Sequence, residues 1–270
     1  MDSRKLERIV LIILVLLNVF LLSVVLSDSL EAKRNEAETA ASVTALLEEN
    51  GIRVESGAVR LRNAPTPCVA TRDLQLEGEK VKRLIGEYTA EDAGGNILFY
   101  RGGKGQALLR GSGELDVLLE SRSIPLRGGE IATARRVLRR IDVPALAADT
   151  KEKDTQFYCC CEELPIYNAV LHFDYSQDSL SMISGTHLFD TVTKQTDRQG
   201  MNSVSALLRF VEIVRSEGYI CSRLLGVEPG YLMTVTRSGE AELAPVWRIE
   251  TDTGVLMIDA ESGKVENRLT

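Results

Sequence analysis

The stretch APVWRIETDTGVLMIDAESGKVE, residues 244–266, decides the architecture. Val246 and Ile249 flank Trp247 on an outgoing strand, Thr253-Gly254 supplies a turn, Val255 to Ile258 returns, and Ser262-Gly263 reverses the chain again. Such a hairpin needs an antiparallel sheet with one packed face. Trp247, the only tryptophan, therefore reads as a core or sheet-face packing residue rather than a ligand platform.

Outward from this hairpin the strands continue at 219–226, 231–236, 245–251, 255–259 and 264–268. Ahead of them 203–217 has helical spacing, with Val204, Leu207, Leu208, Val211 and Val214 inward, Asn202 as cap and Gly218 past the end. A polar linker at 148–155 precedes strands at 156–163, 166–175 and 180–184. Another helix opens after Gly129, with Ile131, Ala134, Leu138 and Ile141 on one side and Arg135, Arg136, Arg139 and Arg140 on the other, and Pro144 ends it. The basic side offers a surface to an acidic partner or to lipid headgroups, or is simply a solvated helix face.

Nearer the amino terminus, apolar runs at 97–100 and 106–109 and the alternation Leu115, Val117, Leu119 predict an antiparallel meander. A short helix carries Val81, Leu84, Ile85 and Tyr88, a strand covers 68–76, the two prolines of 63–67 make a loop, and 52–62 alternates like a hairpin about Ser56-Gly57. Helices followed by antiparallel strands, loosely repeated, make an α+β fold of helices packed on antiparallel sheets. The expected division is a first unit at 51–128 and a second at 129–270.

Residues 9–27, IVLIILVLLNVFLLSVVLS, contain no charge and no proline. A helix of that length reaches roughly 28 Å, close to the hydrocarbon thickness of a bilayer. The run exceeds the 7–15 residues of a secretory signal core, so it is read as a transmembrane helix in preference to a cleaved leader. Arg4, Lys5 and Arg8 precede it, whereas only Lys33 and Arg34 follow among Asp28, Glu31, Glu36 and Glu38, so the tail 1–8 stays inside and the rest lies outside the cytoplasmic membrane. Asn18 shares a helical face with Leu11, Leu14, Leu22 and Val25, and its amide needs a hydrogen-bond partner in hydrocarbon. That face is the candidate partner surface. Residues 28–50 form a helical stalk, with Ala40, Val43, Leu46 and Leu47 as its stripe and Gly51 as its stop.

The formal charge of −7 leaves the exterior part acidic, which disfavours nucleic acid as a partner. Cys68, Cys159, Cys160, Cys161 and Cys221 lack the spacing of a zinc site. A disulfide to Cys68 or Cys221 is one option, and free half-buried thiols are the reading taken. His172 sits with Asp174 on the polar side of a strand, no nucleophile elbow accompanies it, and the glycines of 102–113 surround Lys104 without the phosphate-loop spacing. Glu162 with Glu163 and Glu240 with Glu242 are neighbours by composition. The expectation is a protein with no catalytic residues, no metal and no cofactor.

Two regions resemble the YycI branch of the YycH/YycI regulatory proteins of Gram-positive bacteria. One is LLNVFLL (16–22); the other comprises ELPIYNAVLHFDY (163–175), SVSALLRFVEIV (203–214), VEPGYLM (227–233) and the closing 244–266, which also looks like the last hairpin of PepSY-type modules. The resemblance implies a single-pass protein that binds and tunes the cell-wall sensor histidine kinase WalK (YycG) through its transmembrane helix and outer domain, with a YycH-type companion. The PepSY likeness implies an alternative, a binding module or inhibitor for an extracytoplasmic peptidase.

Overall fold

The computed structural model describes residues 35–148, 155–187, 190–236 and 239–269. The apolar run 9–27 lies outside them, and among the described residues no helix is long and apolar enough to cross a membrane. The helices are α1 (35–49), α2 (Leu74–Ile85), α3 (Glu130–Arg140) and α4 (Ser203–Ser216). The strands are β1 (Arg53–Val54), β2 (Cys68–Arg72), β3 (Tyr88–Gly94), β4 (Ile97–Gly102), β5 (Gly105–Arg110), β6 (Glu114–Leu119), β7 (Ala145–Ala147), β8 (Thr155–Cys161), β9 (Leu164–Ser176), β10 (Ser179–Thr186), β11 (Asp190–Lys194), β12 (Arg223–Val235), β13 (Glu240–Thr251), β14 (Gly254–Asp259) and β15 (Val265–Leu269). The fold is α+β, as expected.

Two antiparallel layers meet at one seam. The first runs β11-β2-β13-β12, with β14 and β15 continuing from β13; the second runs β3-β4-β5-β6-β10-β9, with β8 and β7 beyond β9. The parallel bridge Tyr231↔Ile166 joins β12 to β9. Asn168 extends the seam: its side-chain amide donates to Met233 O (2.7 Å) and accepts from Met233 N–H (2.8 Å), replacing a missing ladder rung. Pairing crosses residue 128, since β6 bonds β10 and β2 bonds β13.

The β12–β13 ribbon feeds two cores. Near its turn, Tyr231, Met233, Ala241 and Leu243 join α2, α3 and the second sheet in one apolar cluster. Near its open end, Leu224, Val227, Trp247 and Ile249 pack with α4, with Val43 and Leu47 of α1, and with Ile52 in the other. Trp247 is fully buried and donates its indole N–H to Met201 O (2.9 Å), so its polar handle is satisfied.

Local chemistry explains where the elements begin and end. Asn202 caps α4 through Ser205 N–H, as expected (2.9 Å). Gly51, at φ +79°, closes α1, with Ile52 N–H bonded to Leu47 O (3.0 Å). Asp73 accepts from Gln75 and Leu76 N–H, so α2 starts at Leu74; the expected strand 68–76 stops at Arg72, and Tyr88 belongs to β3. The Glu162-Glu163 and Gln177-Asp178 corners hold positive φ at both residues, the geometry of a tight two-residue hairpin turn.

Other expectations are corrected. Residues 52–62 form no hairpin: β1 pairs in parallel with Arg223–Leu224, and the chain beyond is held by Ser203, whose hydroxyl donates to Arg60 O and accepts from Arg62 N–H (both 2.9 Å). The strands expected at 219–226 and 231–236 are one, Arg223–Val235, and Pro229 is accommodated inside it because β12 meets β9 at a single bridge, an edge-like place that tolerates proline. The closing turn is Asp252-Thr253, with Gly254 already paired to Thr251. On α3, Ile131 is exposed and Thr133 takes an inward place, its hydroxyl donating to Arg127 O (3.2 Å). On α4, Leu208 is exposed and Phe210 buried.

Gly230 lies at the seam, where an added Cβ would stand 2.7 Å from Pro165 O and against the Tyr167 ring. Gly230→Ala is therefore expected to destabilise by about 1–3 kcal/mol through overpacking, read as a lower urea midpoint. An unchanged midpoint would show that the seam tolerates separation.

Candidate functional site

The outer face of the ribbon, turned away from both cores, carries an open groove of about 710 Å³. Leu232, Thr234, Glu242, Ala244 and Val246 form its floor by the two-residue period of β12 and β13, and Asn168 borders it from β9. Arg198 clasps one wall: its guanidinium bonds Glu261 in bidentate fashion, Glu242 (3.0 Å) and Gln195 Oε1 (2.9 Å). The facing Asp259 is occupied by its own turn, accepting from Glu261 N–H, Ser262 N–H and the Ser262 hydroxyl. These Arg198 pairs are part-exposed and screened by solvent, so each is weak. An incoming polar or charged chain can exchange for them at small cost. The groove offers an open floor, one cation and several carboxylates, a surface suited to holding a polypeptide.

A second, narrower cavity of about 130 Å³ opens at the seam, lined by Lys80, Cys160, Cys161, Ile166, His187 and Met233 among others. Burial and the nearby Lys80 ammonium push the His187 imidazole down to about 3, so it is neutral at physiological pH. The cysteines follow the strand alternation: Cys159 and Cys161 are buried on one side of β8 and Cys160 is half-buried on the other. All five cysteines are free, and the Cys68 thiol donates to Thr66 O (3.3 Å). Burial raises Cys160 to about 11 and Cys161, which also faces Cys68, to about 12. Such thiols stay protonated and serve packing rather than nucleophilic attack.

The structure places the remaining residues singled out in the sequence apart from one another. His172 lies on the polar side of β9 opposite Ser184, with Asp174 on the same side. Lys104 sits in the β4–β5 turn, its backbone N–H bonded to Ile85 O (3.0 Å). Glu162 and Glu163 form a hairpin corner, where Glu162 pairs with Lys194 (2.6 Å). Among the described residues no group of three or more His, Cys, Asp or Glu side chains is arranged to hold a metal. The expected transmembrane face, Leu11, Leu14, Asn18, Leu22 and Val25, lies outside the described residues.

One buried polar cluster escaped the sequence reading. Glu77 on α2 accepts a bidentate pair from Arg72 (2.6 and 2.9 Å) and the Tyr100 hydroxyl (2.8 Å). Arg72 also donates to Asn96 O and Oδ1. Glu77 is 2% exposed, and burial together with the Glu77 carboxylate raises the Tyr100 hydroxyl well above its usual range. The three residues lie on a strand, a helix and another strand, so nothing in their spacing announces the meeting. Their role is to fix α2 on the second sheet with every charge paired.

The thiol environments predict slow, pH-dependent alkylation. At about pH 8, Cys160 and Cys221, each raised to about 11 by burial first, should react with iodoacetamide on the order of 100-fold slower in the native chain than in urea. Peptide-resolved mass spectrometry should show the native rate still climbing above about pH 9, where an ordinary thiol levels off; an early plateau would contradict it.

No protein-family model matches the chain, and no curated protein matches it. Among solved structures, it is similar to an uncharacterized protein from Eubacterium rectale, at 9% identity and a TM-score of 0.43, over 80% of this chain and 89% of that one. A second structural neighbour is the C-terminal domain of Bacillus megaterium YpeB, at 11% identity and a TM-score of 0.39, over 74% of this chain and 99% of that one.

Proposed function

We propose that the chain is a single-pass, membrane-anchored regulator whose outer body and transmembrane helix bind and modulate a cell-wall sensor histidine kinase of the WalK type, alongside a YycH-type companion. The observation that supports this reading most is the seating of α1. Val43 and Leu47 are buried in the same core as Trp247 and α4, and Arg215 of α4 bonds Asn50 Oδ1 (2.5 Å) at the helix end. The helix that follows the apolar run is thus packed into the outer body and is not a loose tether. On this reading α1 is the element through which the outer body and the membrane anchor act on each other.

The mechanism needs no chemistry at the outer body. Packing of the Asn18 face against kinase helices favours one of two kinase arrangements, and a preference of about 1–3 kcal/mol shifts their ratio about 5–150-fold. Loading the outer body changes how that face is presented. In the alternative reading, the groove over the ribbon holds a segment of an extracytoplasmic peptidase, and co-purification of a peptidase in place of a kinase would favour it.

Two variants test the proposal. Asn18→Leu is expected to weaken co-purification with the kinase from membranes by roughly fivefold, the value of about 1 kcal/mol for one interhelical amide bond. A flexible glycine-serine insertion between Ser27 and Asn35 is expected to keep kinase association while removing the effect of the outer body on autophosphorylation. Unchanged association in the first and unchanged kinase output in the second would together overturn the reading.

A further inference from the structure

The strand β7 forms a rim of the second sheet. Among the described residues it pairs only with β8, in the register Ala145↔Cys159, Leu146↔Tyr158 and Ala147↔Phe157. Cys160 N–H bonds Pro144 O (2.9 Å) and Ala148 N–H bonds Gln156 O (3.0 Å). By antiparallel alternation, residues 144, 146 and 148 direct their backbone groups to β8, so Ala145 and Ala147 turn theirs outward. Two donors and two acceptors are thereby presented along a short open edge, the element that another chain extends by adding a strand.

An open groove of about 700 Å³ adjoins this edge, lined by Leu138, Val143, Pro144 and Leu146 and bordered by Arg135, Arg139 and a single carboxylate, Glu163. Leu146 is 48% exposed. Arg135, Arg136, Arg139 and Arg140 are all exposed on α3, and the Arg83 guanidinium reaches Arg140 O (3.3 Å) at the end of the helix. Among the described residues neither Arg135 nor Arg139 is in an ion pair. The last-turn pair Arg139 and Arg140 also suits the helix dipole, whereas Arg135 and Arg136 lie too far back for that explanation. In a chain of net charge −7, this is a basic ridge beside an edge that no described strand fills.

We infer that β7 accepts an extended, carboxylate-bearing segment of a partner protein as an additional strand, its backbone bonding Ala145 and Ala147 and its acidic side chains meeting Arg135 and Arg139. Residues of alternate parity in that segment fall on the opposite face of the sheet, the face that carries Leu146. A lipid headgroup would engage the guanidiniums but leave the outward backbone groups unused, which is why a peptide is the better fit. The inference stands apart from the kinase reading, because it specifies the chemistry of a bound segment whatever protein supplies it.

The test uses the full chain in a non-ionic detergent and a fluorescein-labelled peptide of alternating valine and glutamate, with a valine-lysine peptide as control. Anisotropy should show saturable binding of the glutamate peptide that weakens with salt, and none of the lysine peptide. Ala147→Pro deletes an outward N–H without touching a bond to β8, and should weaken binding at least about tenfold, or about 1.4 kcal/mol, with an unchanged circular dichroism melt. Arg135→Glu with Arg139→Glu should do the same. Should Ala147→Pro fail to fold, peptides N-methylated at alternate residues replace it: one parity should abolish binding and the other preserve it. Absence of saturable binding, equal binding of the lysine peptide, or indifference to both the proline and N-methyl changes overturns the inference. So does binding of phosphatidylglycerol vesicles by the wild type and Ala147→Pro alike in the absence of peptide binding, an outcome that assigns the ridge to lipid.

Discussion

The β12–β13 ribbon is the constraint from which the other contacts follow. Its inward face supplies Tyr231 and Leu243 to one apolar cluster and Val227 and Trp247 to the other, so neither core is complete without the same two strands. A hairpin standing alone is marginally stable at best in water. Here α4 and α1 cover one end, while α2, α3 and the second sheet cover the other. The burial of each end holds the strands in the register that the other end requires. A one-residue slip would turn Trp247 and Leu243 together to the solvent face.

The seam with the second sheet is chemically different. It has one backbone bridge, the Asn168 amide in place of a rung, and a glycine where the chains approach too closely for a side chain. Around it gather thiols, the neutral imidazole of His187 and the buried Lys80. Polar groups concentrate where ladder bonding stops, because the backbone and side chains there must find partners by other means. The Arg72–Glu77–Tyr100 cluster does similar work under α2, fixing orientation at an electrostatic cost that apolar residues would not incur.

Much of this was legible from local pattern. The meander of β4 to β6, the Asn202 cap, the Gly51 stop and the burial of Trp247 all depend on residues close in the chain, and each is legible in their spacing. The failures share a cause. The alternation at 52–62 suits a hairpin until Ser203, far along the chain, captures its backbone. The gap left at 227–230 between two strands closes once β9 is seen to touch β12 at a single point, where proline is tolerated. Ile131 and Leu208 fit helical stripes, yet helix rotation is set by what lies beneath, and Thr133 and Phe210 take the inward places. The groove clasped by Arg198 draws on five strands and two loops, so no motif could mark it. The transmembrane face rests on the hydropathy of residues 9–27 and on the resemblance.

The position of the single tryptophan has a practical corollary. Trp247 is fully buried in the cluster shared with α1 and α4, and the other cluster contains tyrosines such as Tyr100 and Tyr231 but no indole. Emission excited at the red edge of the aromatic band therefore watches one end of the molecule alone. Loosening around α2, α3 and the meander leaves that signal dark while altering tyrosine emission and far-ultraviolet ellipticity. The chain thus carries a built-in optical label by which the cooperativity between its two halves is measured without a dye.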